Sequence, residues 1–161
     1  MSDSFFDQLN IPIPDVNLGA GGGTQAEQTA AIMIGYEKVI IEKKPDLCLV
    51  VGDVTSTMAC SITAQKLNVK VAHVEAGIRS GDWTMPEEIN RILTDRISDL
   101  LSCPTETAID NLKKEGFDNL PVLIEKHGDI MKDAVRYYSQ FSANKSSIIK
   151  DQKLEKNEFV L

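Results

Sequence analysis

Four acidic side chains, Asp53, Glu75, Glu87 and Glu88, stand where carboxylates could do chemistry. The apolar run LCLVVG leads into Asp53 and the β-branched run VKVAHV leads into Glu75. If both runs are parallel strands, the two carboxylates leave the sheet at its carboxyl edge, where open α/β sheets bind ligands. Strands about 4.8 Å apart keep both groups within reach of one small substrate. Glu87 and Glu88 follow Pro86 at the start of a helix and can join the same crevice. Carboxylates gathered together raise one another's proton affinity, which makes a usable acid or base near neutral pH. Each group also has a plainer reading. Asp53 could cap the helix that starts at Thr55 and Ser56, and Glu87 and Glu88 could complement a helix dipole. Glu75, between a strand and Ala-Gly, has no evident capping duty.

Other residues near these acids carry two readings as well. His73 lies inside the strand that ends in Glu75, either as a substrate-facing group or as a satisfied core histidine. Arg79, in the loop AGIRSGDWTM, could hold an anionic ligand or cap a neighbouring helix. The glycine run before Thr24 could offer backbone amides to a phosphate, yet it lacks the last glycine of a dinucleotide fingerprint and the lysine of a P-loop. Cys48, Cys60 and Cys103 are odd in number, lack CxxC spacing and lie in apolar stretches, so they read as buried free thiols. Two histidines without helical ligand spacing predict no dedicated metal site.

The elements that must position these groups follow from periodicity and punctuation. Thr24 and Glu27 have capping-box spacing, which predicts a helix to about Lys44, stopped by Pro45. DLCLVVGD, VKVAHVE, LLSC and VLIEKHGD read as strands, separated by helices over STMACSITAQKLN, PEEINRILTDRISD and TETAIDNLKKEG, the last with a capping-box start at Thr105. IMKDAVRYYSQF is a closing helix. Continuous apolar strands alternating with helices predict a Rossmann-like parallel sheet flanked by helices and covered on both faces. About four strands is small for such a domain. The chain divides into a partial domain over residues 1–142 and, over 143–161, a polar, Lys-rich linker that leads into the start of another domain.

Seventeen Lys and Arg against 24 Asp and Glu give a formal charge of −7. That balance argues against nucleic acid and anionic membrane as partners, since few cations are available to displace phosphate counterions. The sequence has no apolar run of the roughly 20 residues that span a bilayer and no signal-peptide layout, so a cytoplasmic protein is expected.

The segment HVEAGIRSGDWTMPEEINRILTDRISDLLSCPTET, with PDLCLVVGDVTST before it and HGDIMKDAV after it, resembles the non-hydrolysing UDP-N-acetylglucosamine 2-epimerases. The likeness runs from about Val16 to Tyr138. It implies one incomplete half of a two-domain fold of the glycosyltransferase-B type, with a UDP-sugar in the cleft between the halves. It also implies conversion of UDP-GlcNAc to UDP-ManNAc by loss of the carbon 2 proton and of UDP, then re-addition of UDP. No metal or redox cofactor enters this chemistry, and the parent is expected to be a homodimer serving polysaccharide synthesis. Residue by residue, the catalytic acids carry over to Asp53, Glu75 and Glu87, with His73, Arg79 and Glu88 expected at the substrate. Such enzymes open with a strand and a GTRPE-type turn and continue into a TLHR-type turn and a uridine-binding domain. A chain truncated at both ends, inactive alone and with an apolar face left bare, is therefore expected. A related enzyme acting on UDP-2,3-diacetamido-2,3-dideoxyglucuronate, and a non-catalytic nucleotide-sugar binding or assembly module, are the alternatives.

Overall fold

The computed structural model describes residues 6, 9–145, 147 and 151–154. Helix α1 spans Gln25–Lys43. Its start is the expected capping box: the Thr24 hydroxyl accepts from the Glu27 amide at 3.2 Å, and the Glu27 carboxylate accepts from the Thr24 amide at 2.7 Å. Glu27 thereby puts its own carboxylate at the end of the glycine run, where a β-carbon on Gly23 would lie 2.8 Å from Glu27 Oε2. The weak phosphate reading of that run gains no support.

The remaining elements alternate. Strand β1 (Leu47–Val51), helix α2 (Thr55–Lys66), β2 (Lys70–Val74), α3 (Pro86–Ile97), β3 (Leu100–Cys103), α4 (Glu106–Lys114), a 3-10 turn at Phe117–Asn119, β4 (Leu123–Lys126) and α5 (Ile130–Lys145) follow in order. The four strands form one parallel sheet in the order β1-β2-β3-β4, with Val50 opposite His73 and His73 opposite Leu101. This is the expected Rossmann-like α/β sheet. Thr105 caps α4 by accepting from the Ala108 amide. The expected capping box is absent there, because position N3 is Ala108, which has no side chain to return the bond. Helix α5 runs past the expected boundary at 142, and residues 155–161, expected to begin another domain, lie outside the described residues.

Among the described residues the helices cover one face of the sheet and not both. Cys48, Val50, Val71, His73, Leu101 and Cys103 point to one face and are buried there. They meet two apolar clusters, one built with Ile40 and Ala64 and the other with Ala108, Leu112 and Phe117. On the opposite face Leu47, Leu49, Val51 and Leu123 are exposed, Leu49 by 60%. The cause is topological. Right-handed crossovers that step across the sheet in a single direction set every connecting helix on the same side, and β1 to β4 step without reversal.

Helix α3 departs from the usual amphipathic pattern in a way that matters for the site. It buries Glu88, Asn90, Thr94 and Asp95, while Ile89 and Leu93 are each 42% exposed. A helix that turns polar side chains inward must meet partners for them, since burying an unpaired charge is costly. Asn90 and Asp95 find theirs at and just beyond the carboxyl ends of β1 and β2, Glu88 finds its own in Ser80, Gly81 and Arg91, and Thr94 Oγ1 has no partner among the described residues.

Candidate active site at the carboxyl edge of the sheet

Asp53 and Glu75 follow adjacent strands, β1 and β2, and stand at the same edge as expected. Asp53 does not cap α2. The N-cap is Val54, which makes no side-chain capping bond, and the Asp53 carboxylate turns instead to α3, where Arg91 Nη2 donates to its Oδ2 at 2.6 Å. Asn90 Nδ2 donates to the Asp53 carbonyl at 2.8 Å. A charge pair on the neighbouring helix competes better for this carboxylate than one exposed amide.

Glu75 sits in the left-handed region at φ 71°, which L-residues other than glycine, asparagine and aspartate rarely adopt. Its carboxylate is half-buried and has no hydrogen-bond or ion-pair partner among the described residues. A β-carbon on Gly52 would lie 3.6 Å from Glu75 Oε2, so the carboxylate flanks the β1 turn next to Asp53.

The paired glutamates at the start of α3 separate by environment. Glu88 is buried and accepts from the Ser80 amide and hydroxyl (3.0 Å each), the Gly81 amide (2.9 Å) and Arg91 Nη1 (2.6 Å). Burial pushes its pKa up, but those donors outweigh burial and bring it down to about 2. The expectation that gathered carboxylates raise one another's proton affinity therefore fails at Glu88, because Arg91 and two backbone amides reach it before another carboxylate does. Glu87 is half-buried and carries no partner among the described residues.

His73 is fully enclosed. Its Nδ1 lies 2.6 Å from Asp95 Oδ1 and its Nε2 lies 2.8 Å from the Gly52 carbonyl. The Gly52 carbonyl can only accept, so Nε2 donates to it, and Nδ1 shares its bond with the Asp95 carboxyl group. Arg79 caps no helix end with its guanidinium. It forms a two-pronged pair with the Glu115 carboxylate at 2.7 and 2.8 Å and donates to Asp95 Oδ2 at 2.7 Å. Burial opposes the Arg79 charge, but Glu115 and Asp95 outweigh it and raise the pKa.

Three site residues escaped the sequence reading: Asn90, Arg91 and Asp95. For Arg91 and Asp95 the available signal was their spacing from Glu88. Positions 88, 91 and 95 recur at three and four residues and so share one helix face, the face that a purely apolar core would claim.

The fold and site together define a Rossmann-like domain with carboxylates at the ligand-binding edge of its sheet. A family model described as UDP-N-acetylglucosamine 2-epimerase matches residues 1–161, and the chain belongs to that family. Over 140 residues it is 50% identical to a UDP-2,3-diacetamido-2,3-dideoxy-D-glucuronate 2-epimerase of Pseudomonas aeruginosa, covering 87% of this chain and 40% of the relative. Over 124 residues it is 48% identical to the UDP-N-acetylglucosamine 2-epimerase of Methanocaldococcus jannaschii, covering 77% of this chain and 34% of the relative. The crystal structure of a Methanocaldococcus jannaschii UDP-GlcNAc 2-epimerase in complex with UDP-GlcNAc and UDP superposes with a TM-score of 0.85 at 43% identity, covering 93% of this chain and 41% of that one. The chain thus spans well under half the length of these relatives.

Proposed function

We propose that the protein carrying this chain is a UDP-N-acetylglucosamine 2-epimerase that interconverts UDP-GlcNAc and UDP-ManNAc. The observation that carries the reading is the pair Asp53 and Glu75 at the ends of neighbouring parallel strands, in a chain matched along its whole length by the family model. In the proposed reaction a carboxylate takes the carbon 2 proton, the carbon 1 to oxygen bond breaks, and UDP departs with the electron pair, leaving a carbon 1 to carbon 2 double bond. Protonation of carbon 2 from the opposite face and return of UDP to carbon 1 complete the inversion. Proton transfer of this kind needs acids and bases within hydrogen-bond reach of carbon 2. Glu75 and Glu87, which have no partner among the described residues, are assigned to that exchange together with Asp53. His73, Arg79 and Glu88 spend their polar atoms on protein groups, so their part in substrate binding is to shape the cradle.

Incubation of the complete polypeptide that contains residues 1–161 with UDP-GlcNAc in deuterated water tests the reading. Deuterium at carbon 2 of both sugars is expected, and its absence overturns the proposal. A second reading, epimerisation of UDP-2,3-diacetamido-2,3-dideoxyglucuronate, is favoured by the 50% identity to an enzyme of that name. Turnover of the diacetamido uronate without turnover of UDP-GlcNAc would select it.

A further inference from the structure

Asp95 lies in the middle of the candidate site yet is closed off from its open edge. Its side chain is completely buried, and its two oxygens meet three donors: His73 Nδ1 at 2.6 Å on one, and the Gly77 amide at 3.1 Å and Arg79 Nη1 at 2.7 Å on the other. His73 and Gly77 stand two residues before and two residues after Glu75, so one carboxylate grips the chain on both sides of the left-handed residue. The grip on Gly77 is completed from α4, where Asn111 Nδ2 donates to the Gly77 carbonyl at 3.0 Å. Through His73 the same carboxylate reaches the Gly52 carbonyl, one residue before Asp53.

We infer that Asp95 is the positioning residue of the site, holding Glu75 in its left-handed conformation and fixing the Gly52–Asp53 turn against it through His73. This inference rests on the proposed epimerase reading for its catalytic consequence. Its structural content stands on the geometry alone. A residue that sets the angle between an acid and a base acts on the chemical step, and a displacement near 1 Å at such groups costs about 100-fold in rate. Ground-state binding is expected to change little, because Asp95 makes no contact at the open edge.

The experiment compares the complete wild-type polypeptide with Asp95→Asn, which keeps the shape but replaces one acceptor by a donor. Two further variants divide the grip. The amide of His73→Asn takes the place of ring Nδ1 and keeps the bond to Asp95, while that of His73→Gln takes the place of Nε2 and keeps the bond to Gly52. For folded Asp95→Asn, kcat lower by about 100-fold with KM within about 3-fold of wild type is expected. A kcat within about 3-fold of wild type overturns the inference. Should Asp95→Asn fail to fold, the His73 pair decides: both variants must lower kcat, and wild-type rates in both overturn the relay. If the wild type shows no carbon 2 exchange, the epimerase reading fails while the inference is still judged by nuclear magnetic resonance. The strong cross-peak within Glu75 between its amide and α protons, a mark of positive φ, is expected to weaken in the variants, and its persistence in all of them overturns the inference.

Discussion

A left-handed glutamate is an expensive way to end a strand. For an L-residue other than glycine that conformation costs on the order of 1 kcal/mol, and Glu75 adopts it at φ 71° with no bond to its carboxylate. Glu75→Gly is accordingly expected to raise the unfolding free energy by about 0.5–1 kcal/mol, the relief of strain being partly offset by the freer unfolded chain. The same change is expected to abolish carbon 2 exchange in the complete polypeptide. Urea denaturation measures the first effect, and a glycine variant less stable than wild type would refute it. Glu88 supports a prediction in pH. Its carboxyl is depressed in the folded chain from the ordinary 4.5 to about 2, so its contribution is fully present above pH 4.5 and is lost as the pH falls toward 2. Wild type and Glu88→Gln are expected to differ in unfolding free energy at pH 6 and to converge on acidification. A constant difference across that range would exclude the assignment. The acids Asp53 and Glu75 were legible in the sequence because strand ends in a parallel sheet are. Which of Glu87 and Glu88 is spent on structure was not legible, since that depends on the Ser80–Gly81 amides folding back onto the helix.

At the scale of elements, the arrangement turns on α3 and on the close seat of α4 against the end of β2. A β-carbon on Gly77, whose φ is 77°, would fall 2.5 Å from the Ala108 carbonyl oxygen. The backbone of α4 cannot yield as a flexible side chain would. Gly77→Ala is therefore expected to destabilise the chain by about 3 kcal/mol, combining overpacking with an unfavourable dihedral. A loss below about 1 kcal/mol in chemical denaturation would mean that α4 moves freely. Helix and strand positions and the Thr24 capping box were readable from periodicity and punctuation, whereas the order of the strands was not. The inverted face of α3 was not. Periodicity locates a stripe of like residues but does not say that the buried stripe is the polar one, and Ile89 and Leu93 argue locally for the opposite rotation.

At the largest scale the governing feature is the sheet face left open among the described residues. Leu47, Leu49, Val51 and Leu123 lie open there, and β1 is an edge strand among the described residues. Contiguous apolar surface beside a free strand edge promotes association. The 161-residue chain is expected to sediment with a concentration-dependent mass, and Leu49→Lys to reduce that dependence without lowering the thermal midpoint by more than a few degrees. Ideal monomer behaviour of the wild type would contradict this. The two-sided coverage expected from sequence failed because composition records that strands are apolar, whereas the direction in which crossovers step records where the helices go. The consecutive strand order also bears on biosynthesis. Each of the four described strands pairs with its neighbour in sequence, so these strands can pair in order as they leave the ribosome, where earlier segments fold first. The clamp residues Arg91 and Asp95 emerge some 40 residues after Asp53, so the nascent chain has β1 before it has the residues that order the candidate site.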